Sequence, residues 1–587
     1  MTAVWIILLI LGLVGIGITI HYGKKFRDER KKGVALAFLL SLIITIGVWA
    51  GFLWIFRPAF HWLWFNVFYM NPTFWIFTGV IAGVTALIYW LRRNIRKPRR
   101  VKTYWKEYTT TERMTGRYLK VGIGTWVGWI IAFSVLMGPF TATGPINLVK
   151  IYNEIKPATT IIETLPETSE IRYLPMEVAE AISRMQIGTS TRTVGDFDPV
   201  LDKEGRMVWS TPLVPSGGIR KLTRQMEGMA LLKSDGTIES SDAFFKYGEG
   251  MAILDNVIWK LREHKYFVDY CETFCWFDGN TPIIVAPYLE YEYKFPVRVP
   301  RWGGVCIVYP NGTIKDFTPK EARDLPFLQG QRLLPEKLAK LFVESWAYQY
   351  GIVNKWWLHE DQIMIPKVAD SKNQMPYLMP IGRENEPKWV TTTEPFGEAF
   401  GLSKIFFVDA REEKMEIYEP VKYDREKQKY EIRQTLIGPN KAWEYGKGAP
   451  GIAEYKWIET VTEKEGVKES AGTWRLLEPR PTFLEGRMNW MLTVASSECT
   501  VIQHTVLVDA EAARAKENRF VFNTEAELRK YLKTGILETA PKEITPLKGI
   551  SPEAISQLEK LNQMYQEFQQ KWQGEWQKLI KLLEEEK

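Results

Sequence analysis

Four apolar runs separated by basic loops constrain this chain more than any other feature. Residues 4–20, 33–56, 73–91 and 121–140 have no charged side chain in their interiors. Each approaches or reaches the ~20 residues that cross ~30 Å of hydrocarbon at 1.5 Å per residue. The expected fold is an α-helical transmembrane bundle of four helices over 1–141, followed by an α+β ectodomain and a long C-terminal helix. The first run also has the length of a signal peptide. No Lys or Arg precedes Val4, however, and no small-x-small cleavage site precedes the basic loop, so it reads as a retained helix.

The loops set the expected orientation. Residues 21–32 hold Lys24, Lys25, Arg27, Arg30, Lys31 and Lys32, and residues 92–120 hold eleven Lys or Arg. Arg92, Arg93, Arg96, Lys97, Arg99 and Arg100 open the second loop. Between these loops, residues 57–72 have Arg57 alone and are crowded with Trp62, Trp64, Phe65, Phe68 and Tyr69. Positive loops stay cytoplasmic and aromatic rings collect at interfaces. The expectation is a multi-pass cell-membrane protein with its N-terminus and large C-terminal domain outside. Residues 1–141 carry 18 Lys/Arg against 4 Asp/Glu, a balance of +14 within a total of +7, so the rest carries −7.

The stretch LRRNIRKPRRVKTYWK, 91–106, is then a topology determinant resting on anionic headgroups. It lacks a reading module, so no nucleic acid is expected as a partner. The runs hold only small polar residues such as Ser41, Thr45 and Thr78, which suit helix–helix contacts and not a conduction path.

Residues 142–587 read as several pieces: a connector to 225, a β-rich module at 226–330, a helix-plus-sheet module at 331–425, a second α+β module at 426–545, and a helix at 551–587. Asp235-Gly236 and Asn311-Gly312 sit between strand-like runs and supply the positive φ of tight hairpins. KIFFVDAREEKMEIYE is a third hairpin, and CTVIQHTVLVDAEAA adds a β run. Helix-like stretches precede the strands, so the sheets are expected to be antiparallel meanders and not βαβ units.

The helix LLPEKLAKLFVESWAYQYG, followed by DQIMIPKV, MPYLMPI, KWVTTTEP and the VDA…MEIYE hairpin, resembles a PepSY-type, cystatin-like module. The resemblance covers 330–420 and extends to 225–320 and 480–535. It implies a helix on a curved antiparallel sheet, and a binding or inhibitory role.

In the last segment Leu558, Leu561, Tyr565, Phe568, Trp572, Trp576, Leu579 and Leu583 form a near-heptad stripe. That stripe suits packing on its own body, a coiled coil with a protein partner or sister chain, or an interface contact through Trp572 and Trp576.

Chemistry is sparse. On a strand, Cys271 and Cys275 share a face but stand about 13 Å apart, so neither bridges the other. Cys306 is a disulfide candidate for either. The five His match no zinc spacing, and there is no phosphate-cradling Gly loop or G-x-S-x-G. No cofactor, metal or catalytic residue is expected. The composite expectation is a membrane-anchored, envelope-facing interaction protein. The alternatives are an extracytoplasmic hydrolase of envelope polymer using two carboxylates, or a membrane subunit of an export or conjugation-type complex.

Overall fold

The computed structural model describes residues 32–95 and 143–535 apart from 369, 398–400, 459, 464–465 and 470–471, together with 11, 14–22, 24–25, 100–103, 106–109, 128 and 537. The chain divides into two units, 1–525 and 526–587.

Among the described residues the second and third apolar runs are helical, as α1 (Lys32–Ile55) and α2 (Pro72–Ile95), and so are 14–20 of the first; the fourth, 121–140, lies outside the described residues apart from Gly128. Among the described residues, no helix is long and apolar enough to cross a membrane. The four-helix transmembrane bundle, the multi-pass membrane-anchored function and the cell-membrane location with an outside C-terminal domain are corrected on that finding.

The aromatic loop is corrected too. Between α1 and α2 the chain docks on the body instead of forming a belt. His61 Nε2 and the Tyr266 carbonyl are 2.9 Å apart, Arg298 Nε donates to the Tyr69 carbonyl at 2.7 Å, and Phe65 is buried with Tyr291.

The body begins with α3 (Thr143–Ile155) and β1 (Thr159–Ile162). One arrangement, a helix followed by a four-stranded antiparallel meander, then recurs four times. The first module is α4 (Met176–Ile187) with β2 (Asp198–Leu201), β3 (Met207–Pro215), β4 (Met229–Leu232) and β5 (Ile238–Ser241). The second is α5 (Val257–His264) with β6 (Phe274–Asp278), β7 (Thr281–Lys294), β8 (Val297–Val308) and β9 (Ile314–Phe317). The third is α6 (Glu336–Trp346) with β10 (Tyr377–Ile381), β11 (Glu386–Pro395), β12 (Lys404–Asp409) and β13 (Met415–Tyr418). The fourth is α7 (Pro439–Lys447) with β14 (Trp474–Leu484), β15 (Arg487–Ser496), β16 (Ile502–Asp509) and β17 (Arg519–Phe522). The chain continues into α8 (Glu525–Thr534).

The repeat is visible in side chains as well as in topology. The first hairpin of each module turns through a residue of positive φ: Gly205, Gly279, Asn385 and Gly486. Glycine adopts that conformation freely, and Asn is the residue that best tolerates it otherwise. Four residues later comes a large buried side chain, Trp209, Ile283, Trp389 or Trp490. The three Trp donate their indole N–H to the carbonyl of the residue that leads into the module's helix: Leu174 and Leu334 at 3.0 Å, Ile437 at 2.9 Å. A buried indole needs such a partner.

The third module lies at the centre. Trp389, Phe406, Val408 and Ile417 point to one face of its sheet, where α6 contributes Leu338, Phe342 and Val343. Val390, Ile405 and Phe407 point to the other, against Phe483, Trp490 and Leu492 of the fourth module. The Phe407 and Phe483 rings are 5.2 Å apart. Both faces are covered, so these strands are buried along their length and show no polar alternation.

Candidate functional site

The third module is led by Arg332-Leu333-Leu334-Pro335, and the first by Arg172-Tyr173-Leu174-Pro175. Each Pro precedes the first residue of a helix, where its fixed φ is tolerated and no side-chain cap is possible. The two Arg are therefore equivalent by position, and both reach out of their own module to carboxylates on others.

Arg172 Nη2 donates to Glu478 Oε1 of β14 at 2.7 Å. Glu478 has a positive φ and sits at the register shift in the β14–β15 pairing. A bulge of this kind re-aims side chains. Arg480 follows it inward and donates to the Arg172 carbonyl at 2.6 Å and to Thr493 Oγ1 at 2.6 Å. Burial pulls the Arg480 guanidinium down to about 10, against the pull of Glu478. The Arg172 guanidinium lies 5.0 Å from the Trp209 ring and 5.4 Å from Tyr377.

Arg332 holds two carboxylates. Nη2 pairs with Asp198 at the start of β2, and Nη1 donates to Glu272 Oε2 at 2.6 Å, just before β6. Glu272 Oε1 accepts the Glu336 N–H at 2.6 Å and so caps α6, which its own Pro335 cannot do. The acids hold comparable places: Asp198 and Glu272 stand seven residues before Gly205 and Gly279, and Glu478 eight before Gly486. Burial pushes the Asp198 carboxyl up to about 7, with Arg332 opposing. Burial and the Glu272 charge push Glu336 up to about 7 as well.

Of these groups, Arg172, Asp198, Arg332 and Glu336 line a cavity of about 290 Å³ between the first and third modules. Phe197, Pro199, Trp209 and Trp389 supply apolar wall, and Lys340 and Lys372 stand at the rim. Arg172 and Arg332 are at least 94 % buried, and the Nε of each has no hydrogen-bond partner. An unspent buried donor is costly.

The candidates named from sequence lie elsewhere. Cys271, Cys275 and Cys306 are free thiols, as is Cys499. Cys275 pairs in register with Ile284 and Cys306 with Ala286, on opposite sides of β7. Two strand spacings, about 9.6 Å, exceed the reach of a disulfide, so this structure leaves the Cys275–Cys306 bridge unformed. Among the topology residues, Lys24 and Lys25 are described, Arg92 and Arg93 lie in α2, and Arg100 begins the short strand Arg100–Thr103. Arg27, Arg96, Lys97 and Arg99 lie outside the described residues, as does the stripe Leu558, Leu561, Tyr565, Phe568, Trp572, Trp576, Leu579 and Leu583. Sequence reasoning missed Arg172, Arg332, Asp198, Glu272, Glu336 and Glu478. The available signal was the repeated Arg-x-Leu-Pro and the Trp four residues after a turn.

No family model, no curated protein and no solved structure matches this chain.

Proposed function

We propose that this chain is a ligand-binding protein, built from four modules of the PepSY-type, cystatin-like kind, that captures a small polar ligand at the seam between its first and third modules. The observation that carries this reading is the pair of buried guanidiniums that line the seam cavity together with the Asp198 and Glu336 carboxyls. Structural ion pairs alone need no cavity. A cavity with apolar walls and a few fixed charged groups is the usual form of a small-molecule site.

The test is a thermal-shift screen of the full chain against a chemically diverse metabolite set. The screen is repeated on Met176→Trp, which places a larger side chain in the cavity wall. Hits that stabilise the wild type and lose their effect in the variant support the reading, provided the variant's own unfolding midpoint is unchanged. Hits indifferent to the variant, or none at all, overturn it.

A further inference from the structure

Beyond α6 the chain makes one wide helical turn, Asn354–Leu358, that carries apolar side chains outward. Val353, Trp356, Trp357 and Leu358 are all exposed, Trp357 by 67 %. The two indoles meet edge to face at 5.6 Å. His359 follows with a φ of 57° and stacks on the exposed Phe396 ring at 4.5 Å, which joins that ring to the ridge. The turn is fixed from beneath. Buried Asn354 donates to the Glu360 carbonyl at 2.9 Å and accepts the Glu360 N–H at 3.1 Å. Asp361 accepts from Gln349 at 2.8 Å and pairs with buried Lys404 at 3.2 Å. None of these bonds uses the Trp or Leu side chains, so the turn would stand with polar groups in their place.

Single exposed apolar side chains are ordinary, but a contiguous patch on a fixed turn marks an interaction surface. Three rings about half exposed or more, at up to ~250 Å² each, contribute roughly 400 Å², and Val353 and Leu358 bring the ridge to roughly 500 Å². Homodimer interfaces are about 65 % apolar, so the ridge would core an interface of roughly 800 Å² per copy, the size of a stable, specific pair. The rim carries both signs. Lys355 Nζ lies 5.8 Å from the Phe396 ring and the Arg425 guanidinium 4.6 Å from the Tyr350 ring, and among the described residues neither has a carboxylate within ion-pair reach. Glu344 of α6 acts on Lys355 only from farther off. Glu360, beside the turn, has no cation within ion-pair reach among the described residues. A face of one sign repels its own copy, whereas a face with both signs complements itself across a twofold axis, as an isologous contact requires. We propose that the ridge Val353–Leu358 with Phe396 is the contact through which two copies of this chain form a twofold dimer.

The experiment is sedimentation velocity of the full chain over a concentration series. A dimer is expected, and Trp356→Ser or Trp357→Ser is expected to weaken it roughly thirtyfold or more, as truncation of a central aromatic anchor does. Far-UV circular dichroism is the folding control, since both indoles are exposed. A photo-crosslinking residue in place of Leu358 is expected to give adducts of twice the chain mass that map to 351–358 or 396 of the second copy, because a twofold contact sets the same face against itself. A chain that is monomeric at every concentration overturns the proposal. So does a dimer that keeps its strength in both Trp variants, and so do adducts that map to another face. A monomer that binds phosphatidylcholine–phosphatidylglycerol vesicles through Trp357 makes the ridge a lipid contact and overturns the dimer equally.

Discussion

Glu478→Gln is the most demanding test of how the modules hold together. Glu478 is fully buried between Arg172 and Arg480, themselves 6 % and 3 % exposed. Glutamine keeps the volume, so no cavity term enters. It removes the one negative charge that compensates two guanidiniums. Charges about 4 Å apart at an effective dielectric near 20 interact by roughly 4 kcal/mol. Breaking a buried pair from one side costs about 3–5 kcal/mol, because the other charge is stranded. The expected loss is therefore about 3–5 kcal/mol in urea unfolding followed by tryptophan fluorescence. Arg172→Met added to Glu478→Gln relieves part of the stranded charge, so the double variant should be less destabilised than the sum of the singles by more than about 1 kcal/mol. The exposed pair Asp424–Lys427 is the control, and Asp424→Asn, which keeps the acceptor oxygen, should leave the urea midpoint unchanged. A Glu478→Gln loss below about 1 kcal/mol, or additive singles, refutes the view that this cluster locks the first module to the fourth.

Four further outcomes are expected. Trp209→Phe, Trp389→Phe and Trp490→Phe each strand a buried carbonyl and should cost about 1–3 kcal/mol in the same unfolding assay; a loss under about 0.5 kcal/mol at any of them breaks the equivalence of the modules. Asp409→Ala and Asp509→Ala remove the same turn device, a carboxylate accepting two backbone N–H groups, and should cost about 1 kcal/mol each; clearly unequal losses argue against a shared role. Burial raises Glu249 to about 8, so the folded state favours its neutral form: this contribution is complete below the unfolded value near 4.5 and is lost as pH rises through about 8. Glu249→Gln should flatten the fall in stability over that window, by at most about 5 kcal/mol since the side chain keeps some contact with water; a profile parallel to wild type refutes the assignment. Photo-crosslinkers at Gln569 and Trp572 should yield adducts to another chain if residues 551–587 recruit a partner, and adducts confined to the same chain count against that.

Much of the secondary structure was legible because its causes are local. Asp235-Gly236 and Asn311-Gly312 are hairpin turns because the backbone there needs positive φ, and the strands β12 and β13 follow the VDA…MEIYE pattern. The fourfold repeat was harder to see. From the residue leading into the helix to the Trp is 35 residues in the first module, 55 in the third and 53 in the fourth. The difference sits in the connector between helix and first strand, where insertions are tolerated. The candidate site was illegible for a different reason. Its ion pairs join residues 60, 134 and 306 apart in sequence, and nothing near Arg332 marks Asp198 as its partner. The apolar runs misled because length and hydropathy do not show what a loop packs against, and residues 56–73 pack on the second module.

The second module shows why the cavity lies where it does. It has Ile283 in the Trp position and no Arg-x-Leu-Pro leader. Its helix is capped by Asn256, whose Oδ1 accepts the Ile258 N–H at 2.9 Å. Released from the shared leader, its long β7–β8 hairpin receives the 56–73 loop through Tyr291, Pro296 and Arg298. It still supplies Glu272 to Arg332. The second and fourth modules thus give carboxylates and no leading Arg, whereas the first and third each give one. Both leading Arg turn toward carboxylates outside their own modules, and they meet at the boundary of the first and third. Apolar side chains cover both faces of the third module's sheet, but two desolvated guanidinium clusters with fixed geometry cannot interdigitate as apolar side chains do. The unfilled volume between them follows from the same interlock that joins the modules. A ligand held there therefore contacts the first and third modules at once, and its binding free energy adds to the stability of their arrangement.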